Sequence, residues 1–433
     1  MRPVARNRRR AVAPSALLAR SGTWSSSPTG RERPGWSRTR HASCRRATCL
    51  STADTARDLD LLRRAVGEDR LRYWGISYGT LLGATYANMF PGRAGRLVLD
   101  GNVDPQVWVN HGAESEPATN TFLRLGSHLG SVDTLGQFLA HCGRAPVSRC
   151  AFSAGSPGAT QAKYEALLKR LAERPVGSWT YARVVSEVRG ELYTVHPGWT
   201  GLAEVLQTLW QGRAPQEPPA GPAGYPGFEQ SLAVLCAESP KPALPSRYTA
   251  LEWQAVEQTG AFGRWWVWAN EPCTAWPARA ADPCTGPWNR PTAHPVLVVN
   301  PAYDPSTPYR AGRAMAAELA AARLLTLDGY GHTALDNPST CVKRHVVRYF
   351  LTGALPPQEA RCAQDTPPFA APAEQGKSPA GTAAPGRSTN AAEAGAPSAT
   401  AAAKGAVRFP VWPLRSADLF PAWPTGATPS RLD

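Results

Sequence analysis

Residues 71–101, LRYWGISYGTLLGATYANMFPGRAGRLVLDG, decide how the rest of the chain is read. The stretch opens on Leu71, Tyr73 and Trp74, of strand character, and turns tightly through Gly75-Ile76-Ser77-Tyr78-Gly79. Thr80 to Phe90 then carries Leu81, Leu82, Ala84, Thr85 and Met89 at helical spacing until Pro91-Gly92 stops it. Arg96-Leu97-Val98-Leu99 reads as the next strand. A bare G-x-S-x-G is a weak signal, equally an ordinary Gly-rich strand-to-helix turn. Flanked by a strand and a helix it reads as a nucleophile elbow. Small residues on both sides of Ser77 permit so sharp a turn, which pushes the hydroxyl out at the head of the helix. There the helix N-terminus and the Tyr78 N–H can stabilise a developing oxyanion.

Working back from this stretch, a helix capped by Thr52 or Asp54 is expected through Asp58, Leu59, Leu61, Leu62 and Ala65 to Gly67. Residues 1–49 have almost no apolar periodicity and the Arg, Ser, Pro and Gly usage of a disordered arm. The net charge of +14 resides there: residues 1–50 hold twelve arginines against Glu32, so the remaining chain is close to neutral. A folded basic face for nucleic acid is therefore not expected. Arg8-Arg9-Arg10 before Ala11–Ala19 faintly resembles an export signal, but Pro14 and Ser15 interrupt its short apolar part. No run of eighteen apolar residues exists, so no membrane span is expected. The 42% apolar content suffices for a large core.

Working forward, the pattern changes after Asp100-Gly101-Asn102. Residues 106–290 read as a helical lid, with amphipathic helices at 164–171 and 202–210 and a Pro/Gly loop at 215–226. Trp265, Trp266 and Trp268 line either a substrate pocket or, the more ordinary reading, the lid's own core. The sheet resumes at Pro295-Val296-Leu297-Val298-Val299-Asn300, an unbroken apolar run suited to a strand buried on both faces. A helix over 309–322, a strand over 323–327 and a helix over 339–351 follow. Residues 366–433 are Ala/Pro/Gly/Ser low complexity. The expected organisation is an arm (1–49), two parts of an α/β core (50–105 and 291–365), the lid inserted between them, and a tail.

A serine hydroxyl near neutral pH needs a base in hydrogen-bond reach and an acid to orient that base. On an α/β sheet these belong at the carboxyl ends of later strands, in the order Ser, acid, His. Asp304 lies just beyond strand 296–300 and His332 just beyond strand 323–327, both in Gly/Pro-rich loops. Asp328 and Asp100 are rival acids; Asp328 would alternatively brace the His332 loop. His111, His128, His141, His196, His294 and His345 lack a strand-end loop. Among nine cysteines, Cys142 and Cys150 are close in sequence, Cys236 faces Cys273 or Cys284, and Cys341 faces Cys362; Cys44 and Cys49 complete the set. An odd count leaves at least one without an intramolecular partner. No C-x-x-C spacing points to zinc, and neither metal nor organic cofactor is implied.

Four motifs now carry a family resemblance: W-G-I-S-Y-G-T (74–80), R-L-V-L-D-G-N-V-D-P (96–105), P-V-L-V-V-N-P-A-Y-D-P-S-T-P (295–308) and L-D-G-Y-G-H-T (327–333). They resemble the secreted tripeptidyl aminopeptidases of actinobacteria, α/β-hydrolase serine peptidases related to proline iminopeptidases. The closing Cys341, Gly353-Ala354-Leu355-Pro356 and Cys362 pattern is similar too. The resemblance spans about residues 50–365. It implies Ser77 as nucleophile, Asp304 as orienting acid, His332 as general base and the Tyr78 N–H as an oxyanion donor. It also implies peptides with a free N-terminus as substrates and an extracellular location. No lid motif transfers a residue that grips the substrate amine. The family also has two or three strands and a Gly-rich loop ahead of helix 53–66, supplying a second oxyanion N–H, and residues 1–50 do not match them. The N-terminal strands are thus expected to be missing or replaced, with one sheet edge exposed. An esterase or amide hydrolase with the same triad, or an inactive relic, are the rival expectations.

Overall fold

The computed structural model describes residues 49–109, 118–216 and 228–371. The arm, the tail and most of the 215–226 loop lie outside them. The first element, α1 (Thr52–Ala65), is capped by Ser51 and not by Thr52 or Asp54. Extended backbone at Ser51 (φ −142°) lets its hydroxyl accept the Asp54 N–H at 3.1 Å. β1 (Leu71–Ile76), α2 (Tyr78–Met89) and β2 (Ala94–Asp100) follow as the opening stretch requires. Arg63, one turn on in α1, and the Tyr86 hydroxyl of α2 both donate to the buried Asp60 carboxylate, at 2.9 and 3.0 Å, and the Tyr86 bond locks α1 onto α2.

The chain then leaves the sheet, and the described residues there form nine α-helices: α3 (Pro105–Val109), α4 (Thr121–Leu125), α5 (Ser127–Arg144), α6 (Pro157–Glu173), α7 (Tyr181–Glu191), α8 (Thr200–Trp210), α9 (Phe228–Glu238), α10 (Pro245–Thr259) and α11 (Ala261–Trp268). It returns as β3 (Val296–Tyr303), α12 (Tyr309–Glu318), β4 (Ala322–Tyr330), α13 (Thr340–Thr352) and β5 (Arg361–Ala363). The five strands pair in sequence order, all parallel. Among the described residues β1 is an edge strand, hydrogen-bonded to β2 alone.

Burial on both faces explains the unbroken apolar runs. One face packs Val98, Leu297, Val299, Leu325 and Leu327 against Val342, Val346 and Tyr349 of α13. The other packs Leu97, Leu99, Val296 and Val298 against α2 and Met315 of α12. α12 ends four residues earlier than its sequence pattern suggests, because β4 takes up its pairing with β3 at Ala322. β4 runs on through Asp328-Gly329 to Tyr330, three residues beyond the expected strand 323–327.

The inserted helices, the segment expected to be a lid and called so below, have their own core of Phe138, Phe152, Leu167, Leu171, Trp199, Leu202, Leu206 and Trp266. Each of the three clustered indoles donates within the lid: Trp265 to Ser186, Trp266 to Ser131 and Trp268 to Glu252, at 2.7–2.9 Å. The ordinary reading therefore holds for Trp266, which is buried in that core. Disulfides join Cys142–Cys150, Cys236–Cys273 and Cys341–Cys362, and Cys49 is also disulfide-bonded. The choice left open at Cys236 falls to Cys273, and Cys284 is free.

Candidate active site

Ser77 sits between β1 and α2 with φ +53° and ψ −127°, a conformation that non-glycine residues adopt only under constraint. The neighbouring glycines show why. A Cβ on Gly75 would lie 2.3 Å from the Gly79 carbonyl oxygen and 2.5 Å from the Tyr73 ring. Without it, the Tyr73 hydroxyl donates to Gly79 O at 2.7 Å. Thr80 closes the turn by donating N–H and Oγ1–H to Ser77 O at 2.9 and 2.7 Å, and its Oγ1 accepts Val103 N–H at 2.9 Å. Ser77 N–H donates to Asp100 O at 3.0 Å, fixing the elbow to the end of β2. Tyr78 is the first residue of α2, where helix N–H groups have no intrahelical partner.

The structure brings Asp304 and His332 together. His332 Nδ1 lies 2.9 and 3.0 Å from the two carboxylate oxygens of Asp304, and both side chains are buried. Asp304 is held in turn by the N–H groups of Ser306 and Thr307, each at 2.8 Å, and by the Thr307 hydroxyl at 3.0 Å. Burial alone would lower the His332 pKa. The charge of Asp304 and its hydrogen bond overcome this and push it up to about 9, with Tyr193 and Asp336 adding to the rise. His332 Nε2 is buried and makes no hydrogen bond. A Cβ on Gly101 would come within 3.3 Å of His332 Cε1. The imidazole thus lies against the end of β2, the same strand end to which Ser77 is tied.

The rival acids have other work. Asp328 faces Arg361 of β5, which donates to it through Nε at 2.8 Å and through Nη2, so it does not brace the His332 loop. Asp100 is fully buried and accepts the N–H groups of Ala334 and Leu335. His141 bonds the Tyr330 hydroxyl and His196 the Pro367 carbonyl. One cluster of metal-ligand type occurs among the described residues, Cys341, His345 and Cys362, and its sulfurs are consumed by their disulfide.

Two neighbours of the pair escaped sequence reasoning. Thr307 stands 3.3 Å from His332 Nδ1 as well as bonding Asp304; the Asx turn that Asp304 signals is closed by Ser306 N–H, and Thr307 lies one residue beyond it. Tyr193 comes from the lid with no such signal. Its ring meets the His332 imidazole edge-on at 4.8 Å, and its carbonyl accepts His332 N–H at 2.8 Å. Burial opposes ionisation of the Tyr193 hydroxyl, but the charges of Arg189 and His332 bring its pKa below the usual tyrosine value. Arg189 Nη1 donates to it at 2.9 Å.

Residues 26–140, with the elbow inside them, match the family model described as alpha/beta hydrolase fold, in agreement with the parallel sheet and flanking helices described above. The chain's C-terminal part is narrower in kind: residues 258–362, which carry Asp304 and His332, match the model described as TAP-like protein. Among curated proteins, the chain is 28% identical to serine protease Hip1 of Mycobacterium tuberculosis over 72% of this chain and 62% of the relative. It is 27% identical to the tripeptidyl aminopeptidase of Streptomyces coelicolor, over 74% and 59%. It is 30% identical to carboxylesterase B of Mycobacterium tuberculosis, over 72% and 61%. The chain thus spans about three fifths of the length of these relatives.

Proposed function

We propose that the protein is a serine peptidase that releases short peptides, tripeptides in the first instance, from free N-termini through an acyl-enzyme. The observation that carries this reading is the buried Asp304–His332 pair, its Nε2 unoccupied, set against the strand end that holds Ser77. His332 Nε2 takes the Ser77 proton as Oγ attacks the scissile carbonyl, and Asp304 holds the tautomer and stabilises the imidazolium. The Tyr78 N–H, at the positive end of α2, donates to the oxyanion; one such donor is worth about 2.7–4 kcal/mol. His332 then protonates the leaving amine, and water repeats the sequence on the acyl-enzyme.

The TAP-like match and the relatives named as peptidases support peptide substrates. The disulfides Cys142–Cys150, Cys236–Cys273 and Cys341–Cys362 support a location outside the cytoplasm. No described helix is long and apolar enough to cross a membrane. The relative named carboxylesterase B favours a second reading, ester hydrolysis by the same three residues.

The test is fluorophosphonate labelling of the parent and of Ser77→Ala, followed by hydrolysis of tripeptide anilides with free and blocked N-termini and of simple esters. Labelling of the parent alone with cleavage of free tripeptides is expected. Ester turnover without peptide cleavage selects the second reading. A folded parent that does not label removes both.

A further inference from the structure

We propose that Asp100 is a positioning residue for this reaction: its carboxylate clamps the backbone just after His332 and so keeps the imidazole in register with Ser77. The inference rests on the functional reading above. Asp100 ends β2 and joins both sides of the site. Its carbonyl oxygen accepts Ser77 N–H at 3.0 Å. Its Oδ1 and Oδ2 accept the Ala334 and Leu335 N–H groups, at 2.9 and 3.0 Å. The next residue, Gly101, has φ +67°, and a Cβ there would stand 2.8 Å from Thr333 Cγ2. The Asp100-Gly101 corner is therefore the seat on which the His332 loop rests.

The loop needs such a clamp because it is strained. Thr333, between His332 and the two clamped residues, has φ +69°. A β-branched residue is a genuine outlier there and persists only where its surroundings over-determine the backbone. Asp100 supplies one constraint. Asn337 supplies the other, donating to the His332 and Thr333 carbonyls at 3.2 and 3.1 Å. Strain at this point aims the imidazole at the elbow, and release of the clamp lets Thr333 relax.

The clamp is also sensitive to protons. Burial pushes the Asp100 pKa up to about 7, against its two N–H donors and the nearby His332; Asp304 adds repulsion. A protonated Asp100 turns an O–H toward one of its donors, so the clamp opens as pH falls through about 7. His332 itself must lose a proton to act as base. Below pH about 7 two protons then oppose the reaction, and log(kcat/KM) against pH should steepen from a slope of one to a slope of two.

Asp100→Asn decides the matter, with hydrolysis of the preferred substrate and the fluorophosphonate labelling rate measured across pH. Expected are a fall in kcat of roughly 10- to 100-fold, KM nearly unchanged, and a slope that stays at one throughout. A purely structural role would lower Tm without removing the steep limb. If Asp100→Asn keeps the parent kcat and steep limb while Ser77 labels normally, the proposal is overturned and the functional reading stands. If the parent itself does not label, the reading fails and the positioning role falls with it. Should the variant not fold, infrared titration of the parent decides: a buried protonated-carboxyl band must appear over the pH range in which labelling steepens, and its absence there overturns the proposal.

Discussion

Ser77, Asp304 and His332 stand at the ends of sheet strands, while the lid reaches the same place through backbone contacts. Lid helix α5 donates Ser127 Oγ–H to Ser306 O at 2.7 Å and Ser131 Oγ–H to Pro305 O at 2.6 Å, gripping the Asp304 loop. The segment after α7 accepts His332 N–H and an Asn337 amide N–H on the Tyr193 carbonyl, and returns the Val195 N–H to Asn337 Oδ1. The sheet therefore supplies the candidate chemical groups, and the lid fixes the two loops that aim them. Substitutions of the first kind should abolish turnover; those of the second should blur it.

The largest effect should come from Asp304→Asn. The amide leaves the geometry in place but favours the wrong His332 tautomer, and kcat should fall on the order of 10⁴-fold. The pH dependence should change with it. In the parent, His332 is protonated up to about 9, so kcat/KM should rise with pH into that range. In Asp304→Asn the residual activity should reach its plateau at lower pH. The sign for stability is opposite. A histidine whose folded pKa is raised from 6.5 to about 9 contributes stability fully below pH 6.5, and loses it as pH rises through 9. The Tm gap between parent and Asp304→Asn should therefore be wide at pH 6 and narrow at pH 10.

Gly130→Ala tests the lid's share. A Cβ at this position of α5 would lie 2.5 Å from the Asp304 carbonyl oxygen, so either the helix or the Asp304 loop must shift. A displacement near 1 Å at an aligned site costs about 100-fold; partial accommodation by the loop places the expected fall in kcat at roughly 10- to 100-fold. Unchanged kcat with a lowered Tm would mean that the lid covers the site without aiming it. Thr307→Val should cost less, about tenfold, because the Ser306 and Thr307 N–H groups still hold Asp304. Thr307→Ser should restore most of that loss.

The same division governs what could be read before the structure. Parallel strands buried on both faces give unbroken apolar runs, and the elbow demands glycines at fixed offsets, so Ser77, Asp304 and His332 stand out as strand-end residues. β5 was missed because three residues carry no periodic signal, and the Ser51 cap because three polar residues within four positions (Ser51, Thr52 and Asp54) compete for it. Asp100 was visible as a rival acid, but its bonds run to backbone N–H groups more than two hundred residues away, which no local pattern encodes. The lid's grip is of the same kind. Tyr193 acts through its carbonyl, a group every residue possesses, and Gly130 through the absence of a side chain.

The smallest kinetic effect should come from the far side of the lid. Cys142 and Cys150 sit in the lid's own core with Phe138 and Phe152, and the disulfide joins the end of α5 to the turn before α6. Closing a loop of eight residues restricts the unfolded chain by about 2.5 kcal/mol, so the Cys142→Ala, Cys150→Ala double variant should unfold at a clearly lower temperature. Its kcat should stay within about twofold of the parent below that temperature, because Ser127 and Ser131, near the other end of α5, still hold the Asp304 loop. Measuring Tm by calorimetry and kcat on one preparation separates the two quantities. A drop in kcat as deep as that of Gly130→Ala would show that α5 transmits disorder along its whole length, and that the grip on Asp304 belongs to the lid as a unit and not to its first turns.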